Sequence, residues 1–251
     1  MQPLKIFGRQ PVHEALLGKL PVQKIFLAQG SKGGVFAEII GLAEERRTPM
    51  QSVGRDELDR LVGTDKHQGI VAQLPPLQFV EWEKMLGRAA ERNEKAALVL
   101  LDGVEDPRNL GAILRVAEGA GMHGMILTKR RSAEITPATI KTSAGAAFHI
   151  PIGQINNLAT TMEEMKRAGL WLVGCDASGD KNFDELDASL PLGIVLGGEG
   201  KGLHRLVREK CDFLVRIPMR GKVASLNVAT AAAVIFYEVV RQRGVKIKRK
   251  E

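Results

Sequence analysis

The sequence predicts an α/β protein of two units, the second built on a parallel sheet covered on both faces. Strand-like apolar runs and helix-like amphipathic segments alternate along most of the 251 residues. The alternation breaks at Pro75-Pro76, which divides a short unit from a longer one. The run Ala97–Leu101 (ALVLL) is continuously apolar, as a strand buried on both faces requires.

The short unit spans residues 1–75. Gln10–Lys19 reads as a helix with Pro11 in its first turn, and Lys24–Ala28 as a strand. Val35–Arg47 has helical periodicity, with Val35, Phe36, Ile39, Ile40 and Ala43 on one side. Met50–Val53 is strand-like, Arg55–Leu61 helical and Gly69–Leu74 a strand. Residues 76–95 form a charged, partly helical linker.

The longer unit covers 96–243. After Ala97–Leu101 come a helix over Asn109–Ala120, a strand at Gly124–Thr128, a short helix at Pro137–Ala144, a strand at Phe148–Ile152 and a helix at Leu158–Ala168. Leu170–Cys175, Gly193–Leu196 and Phe213–Ile217 read as further strands. Leu203–Lys210 and Leu226–Arg243 read as helices. Ligands on such sheets bind beyond the carboxyl ends of the strands. The informative loops are therefore those after Leu101, Leu196 and Ile217.

Composition removes several classes. Cys175 and Cys211 have no closely spaced partner, which argues against a disulfide scaffold or a cysteine zinc site and points to a reducing cytoplasm. The five histidines are scattered with no pair at metal-ligand spacing, so no metal is expected. The start lacks the apolar core of a signal peptide, and Val228–Val240 is too short to span a bilayer, so no membrane association is expected. The net charge of +7 is uneven: Arg241–Glu251 contributes +5 of it, while 96–240 is neutral. A basic tail over 244–251 suits a polyanion or is a solvated terminus. Aromatics are only 4% of residues, so extensive base stacking is not the expected mode of binding.

In the first loop, Asp102-Gly-Val-Glu-Asp-Pro-Arg-Asn-Leu-Gly leads into a helix that Asn109 is placed to cap. Arg115 follows among Ala112, Ile113, Leu114, Val116 and Ala117, company that calls for an anion or a carboxylate partner. The second loop, Gly197-Gly198-Glu199-Gly200-Lys201-Gly202-Leu203, lets backbone approach a ligand closely. It is not a P-loop, because Gly202 follows Lys201 and Val195 stands at the earlier glycine position. Nor is it a dinucleotide fingerprint, whose third glycine would fall at Leu203. In the third loop, Ser225 and Asn227 sit where the last helix begins and its free N–H groups point outward.

Together the three loops resemble the three motifs of the SPOUT superfamily, in its TrmH-type RNA ribose 2′-O-methyltransferases. The first motif is Asp106-Pro107-Arg108-Asn109-Leu110-Gly111-Ala112 with Arg115, the second Gly198–Leu203, and the third Ile217-Pro218-Met219, Gly221 and Ser225-Leu226-Asn227-Val228. Ala224 stands where many relatives carry a polar residue. Ile6-Phe7-Gly8, His13-Glu14-Ala15-Leu16 and His67-Gln68-Gly69 are similar to the accessory domain of the branch acting on guanosine in bacterial 23S rRNA.

The resemblance implies a parallel-sheet SPOUT domain with a C-terminal trefoil knot, joined to a small N-terminal α/β RNA-binding domain of ribosomal-protein type. It also implies a homodimer, S-adenosyl-L-methionine as cofactor, and 23S ribosomal RNA as partner. Carried over residue by residue, Arg115, Asn109, Glu199, Ser225 and Asn227 are the candidate catalytic residues. Leu196, Gly197, Gly198, Ile217, Met219, Ser225 and Leu226 are the candidates for holding the cofactor. The family's arginine is placed at the 2′-hydroxyl, as base or as a clamp for phosphate and alkoxide; a guanidinium rarely gives up its proton, which favours the clamp. The competing readings are the same chemistry on tRNA and a catalytically silent RNA-binding assembly factor. Retention of the five candidate residues argues against the second. If the tail attracts phosphate, deleting Lys246–Glu251 will flatten the salt dependence of RNA binding and leave the methylated position unchanged. An unchanged slope would identify it as a solvated terminus.

Overall fold

A computed structural model describes residues 3–31, 33–200 and 202–244. The tail beyond Gly244 and Lys201 of the glycine-rich loop lie outside them. The chain forms two compact units. One comprises the chain up to Gln78 together with Ile135–Phe148; the other comprises Phe79–Glu134 and the chain from His149 onward. No helix among the described residues is long and apolar enough to cross a membrane.

The first unit contains β1 (Leu4–Phe7), α1 (Arg9–Leu17), β2 (Lys24–Ala28), α2 (Gly34–Glu45), β3 (Met50–Val53), α3 (Arg55–Val62) and β4 (Ile70–Leu74). Its sheet runs β1-β4-β2-β3, with β2 and β3 parallel and the other pairs antiparallel. Phe36, Ile39 and Ala43 bury one side of α2, as their spacing predicts, but Val35 stays exposed. Strand β1 was not apparent in the sequence. His67 is a buried spacer: its Nδ1 accepts the Gly69 N–H at 2.9 Å, so its Nε2–H faces Asp59 at 2.9 Å.

The second unit begins with α4 (Trp82–Glu91), in the stretch expected to be a linker. Its Trp82, Met85 and Ala89 are buried, and Met85 fills the space that side chains would otherwise take at Gly124, where a Cβ would lie 2.2 Å from its sulfur. There follow β5 (Ala97–Asp102), α5 (Pro107–Gly119) and β6 (Gly124–Thr128). The segment carrying α6 (Pro137–Thr142) groups with the first unit. Then come β7 (Ile152–Ile155), α7 (Leu158–Arg167), β8 (Trp171–Cys175), the two-residue β9 (Lys181–Asn182), β10 (Leu192–Gly197), α8 (Arg205–Glu209), β11 (Phe213–Arg216) and α9 (Val228–Gln242). The strand expected at Phe148–Ile152 is displaced: Ala146–Phe148 is a 3₁₀ turn, and pairing with β6 begins at Ile152.

The seven-stranded sheet has the order β7-β6-β5-β10-β8-β11-β9, and every pairing in it is parallel. All six residues of β5 are buried, which is why its sequence is an unbroken apolar run. His123, at the amino edge, repeats the His67 arrangement: its Nδ1 accepts the Ala97 N–H at 3.1 Å and its Nε2 faces Glu94 at 3.0 Å. Burial lowers its pKa, against the opposing pull of Glu94.

The last helix is fastened at its end. Glu238 is buried and receives both Nε and Nη2 of Arg241, at 2.8 and 2.7 Å, with Gln242 Nε2 at 2.7 Å. Arg243, beyond the helix, donates to four backbone carbonyls: Ala188 at 2.9 Å, Lys95 at 2.6 Å, and Ala96 and Leu190 at 3.1 Å each. These lie on the approaches to β5 and β10, so one guanidinium ties the chain end to the two central strands. Arg243→Ala should cost about 2–3 kcal/mol, since charge-assisted bonds are lost and carbonyls are left unpaired. Arg243→Lys should recover only part of this. Urea unfolding measures both, and equal stability of all three proteins would rule the clamp out.

Candidate functional site

β5 and β10 are in register along their whole length, so Gly197 lies opposite Asp102 and both strands end at one level. The loops that follow are stitched together at that point. Asp102 is buried, and its carboxylate accepts the backbone N–H of His204 at 2.7 Å and His204 Nδ1 at 2.9 Å. Its carbonyl accepts the N–H of Gly198 at 2.8 Å, and the carbonyl of Gly198 accepts the N–H of Gly202 at 3.1 Å. A Cβ at Gly198 would stand 2.0 Å from the Gly103 oxygen, and one at Gly197 2.2 Å from the Gly202 carbonyl carbon. Gly200 and Gly202 turn the chain at φ of 77° and 63°. The four glycines thus divide their duties: two allow backbone to pack on backbone, and two make the turn.

Helix α5 starts earlier than its sequence suggests. Asp106, not Asn109, is the cap, accepting the Arg108 N–H at 2.8 Å, with Pro107 in the first turn. Asn109 lies inside the helix, and its side chain is therefore free for another purpose. That purpose involves Asn227, which caps α9 through its Oδ1, accepting Ala229 N–H at 2.9 Å and Thr230 N–H at 3.4 Å. Its Nδ2 donates to Asn109 Oδ1 at 3.0 Å and to Glu199 Oε1 at 2.6 Å. Two acceptor positions and two protons are all engaged, which fixes the orientation of the amide. One side chain thereby joins the loops after β5, β10 and β11.

The other candidate residues surround this junction at different depths. Leu196 is buried, and Gly197, Gly198 and Ile217 are half-buried. Pro218 to Asn227 is exposed throughout, including Ser225, Met219 at 37% and Leu226 at 36%. Arg115 departs from expectation: it is exposed and makes no hydrogen bond or ion pair among the described residues. The apolar residues around it in sequence are not around it in space. Leu110, Ile113, Leu114 and Ala117 form the buried face of α5, and position 115 falls off it.

The surface suits a nucleoside cofactor. Glycines 197, 198, 200 and 202 carry no side chain to cover their backbone, and Met219, Val223 and Leu226 on the loop that ends at Asn227 leave apolar area exposed. Cys175 and Cys211 are not nucleophile candidates, because burial pushes each thiol up to about 12. Among the described residues no group of three His, Cys, Asp or Glu side chains could hold a metal ion. The Asp102–His204 pair joins residues 102 positions apart, so no local spacing announces it. The available signal was an acidic residue closing an otherwise apolar central strand, where a buried carboxylate demands partners.

Comparison with known proteins agrees with this geometry. Residues 96–237 match the SpoU rRNA methylase family, and residues 5–80 match the domain described as RNA 2′-O ribose methyltransferase substrate binding. YacO of Bacillus subtilis, named for the TrmH family of tRNA/rRNA methyltransferases, is 43% identical over 95% of both chains. A TrmH-family relative from Staphylococcus saprophyticus is 41% identical over 97% of both. The SpoU methyltransferase AviRb of Streptomyces viridochromogenes, solved with AdoMet, superposes with a TM-score of 0.72 at 28% identity, covering 96% of this chain and 90% of its own. The Aquifex aeolicus TrmH/SpoU tRNA-modifying enzyme has a TM-score of 0.56 at 30% identity, and covers 65% of this chain and 85% of its own. The chain belongs to the SpoU methylase family and is an S-adenosylmethionine-dependent RNA 2′-O-methyltransferase of the TrmH type.

Proposed function

We propose that the chain methylates the ribose 2′-hydroxyl of a guanosine in bacterial 23S rRNA, acting in the cytoplasm as a homodimer whose second unit is threaded as a trefoil knot. The observation that bears most on the activity is the Asn227 amide, which draws the three loops into one constellation at the carboxyl edge of the sheet. Support for rRNA over tRNA comes from the first unit, most of which a substrate-binding domain model matches. The tRNA-modifying relative, in contrast, aligns with only 65% of this chain. Exposed apolar side chains at Met219, Leu226 and Tyr237 favour a second copy or a ligand covering this face.

S-adenosylmethionine, when bound, supplies a methyl group activated for transfer to an oxygen. The backbone around Leu196, Gly197, Gly198, Ile217, Met219 and Leu226 holds its adenosine, and Ser225 lines the pocket. Asn227 holds Asn109 and Glu199 at fixed positions. Arg115 keeps its proton; its unpaired guanidinium clamps a phosphate of the RNA and stabilises charge developing on the ribose O2′. The main contribution of the chain is alignment of two bound reactants, and no metal enters this scheme.

Mapping of 2′-O-methyl groups in cells lacking the protein tests the substrate. Loss of one methylated guanosine from 23S rRNA is expected, whereas loss confined to tRNA would reject the rRNA assignment. Arg115→Lys should retain the wild-type melting temperature and cofactor affinity, since Arg115 has no partner among the described residues, yet lose most single-turnover methylation because Lys offers a point charge and no fork. A Lys variant that methylates at the wild-type rate would remove Arg115 from the reaction.

Asn227→Ser separates the two roles of that side chain. Serine keeps a helix cap, so stability should fall by less than about 1 kcal/mol. It cannot reach both Asn109 and Glu199, so single-turnover methylation should drop about 10- to 100-fold. A variant with near-normal turnover would show that the three-loop junction is structural only.

A further inference from the structure

The loop after β6 leaves the sheet at the same edge as the loops of the site, because β6 pairs in parallel with β5. It reads Lys129-Arg130-Arg131-Ser132, and all three cations are exposed. None of them makes a side-chain hydrogen bond or ion pair among the described residues. The loop is held against the loop after β5, since the Ala133 N–H donates to the Val104 carbonyl at 2.8 Å. Arg108, in the first turn of α5, and Arg220 and Lys222, on the loop after β11, are likewise exposed and unpaired among the described residues.

The carboxylates of this edge do not neutralise those cations. Asp102 is taken by His204 and Asp106 caps its own helix, while Glu199 accepts from Asn227. Glu105 is exposed beside them, and Glu134 follows the basic loop with a partner of its own. A solvated surface of ordinary composition intersperses the two signs. Here three cations stand in succession beside a site whose substrate is a polyanion.

The loop also adopts a costly conformation. Arg131 has φ of 54°, a region that β-carbon-bearing residues avoid. Next to it the Ser132 hydroxyl is buried without a hydrogen-bond partner among the described residues. Five other non-glycine residues share a positive φ, so the feature that sets this turn apart is the orphaned Ser132 hydroxyl, since a buried polar group without a partner marks a place that a ligand can complete.

We propose that Lys129, Arg130 and Arg131 form a phosphate clamp on the second unit that grips the RNA backbone next to the modified ribose. The clamp rests on the RNA methyltransferase reading but not on the 23S assignment. It reads charge rather than base identity, so it contributes affinity and register while sequence is read elsewhere.

The test uses the full-length protein and two probes: a single-stranded RNA of mixed sequence for binding, and transcribed 23S rRNA for methylation. The triple variant Lys129→Ala, Arg130→Ala, Arg131→Ala is compared with a charge-matched control, Lys84→Ala, Arg88→Ala, Arg92→Ala, on α4 and its C-cap. The clamp variant should keep its melting temperature and its S-adenosylmethionine affinity. Its log-affinity for the mixed RNA should depend less steeply on log salt, by about 2, as expected for three lost contacts to a single strand. On 23S rRNA its KM should rise while its single-turnover rate at saturating RNA holds, and the control should change neither slope nor KM. A slope shared with the control, or a clamp variant altered only in oligomeric state, would overturn the proposal. If wild-type protein fails to methylate 23S rRNA, the substrate assignment falls, while the salt slope on mixed RNA still decides the clamp.

Discussion

The register between β5 and β10 is the constraint from which the site follows. With Gly197 opposite Asp102, two parallel strands end at the same height, and their loops have to pass within backbone contact. Only glycine fits at 197 and 198, because a β-carbon there would enter the neighbouring peptide. That close approach brings Asp102 under the His204 N–H and presents Glu199 toward the start of α9. A register shift of one residue would exchange the two buried faces of β5 and carry Asp102 away from the His204 N–H, so the polar bonds at the strand end hold the register that the uniform apolar run leaves open.

Polar groups in the second unit are handled in two ways. Where stability is at stake, the charges taken out of solvent are fully engaged: buried Asp102 by two donors from His204, buried Glu238 by Arg241 and Gln242, and half-buried Arg243 by four carbonyls. Arg241 holds the Glu238 carboxyl below its usual range. At the loop junction a neutral amide does the joining instead. Asn227 meets an acceptor on each neighbouring loop without placing a second charge beside Glu199, and it engages only one oxygen of that carboxylate. A lysine there could satisfy the same acceptors but could not cap α9, because it has no acceptor of its own.

Much of the fold was legible: β5, buried on both faces, is an uninterrupted apolar run up to Asp102, and β2 and β3 match their sequence bounds without being buried on both faces. The failures have local causes. Helix α4 reads as a partly helical linker because eight of the nineteen residues from Leu77 to Lys95 are acidic or basic, and the narrow buried stripe of Trp82, Met85 and Ala89 is easily masked. Asn109 was taken for a cap because caps are chosen by residue type, whereas Asp106-Pro107 carries both the cap and the residue favoured just inside it. The three motif loops were legible as glycine and amide clusters at strand ends. Their junction was not, since Asn227 meets Asn109 across 118 positions of sequence.

Arg115 shows why periodicity has to be applied before composition. Read as a string, its neighbours are apolar and a buried charge seems to need a partner. Read at 3.6 residues per turn, Leu110, Ile113, Leu114 and Ala117 face the core and Arg115 does not. The consequence reverses the energetic argument. A buried arginine would confound any test of its function, because removing it would destabilise the protein. An exposed arginine without a partner contributes little to folding, so its side chain is available to a ligand, and the contribution it makes to the reaction can be measured apart from the stability of the fold.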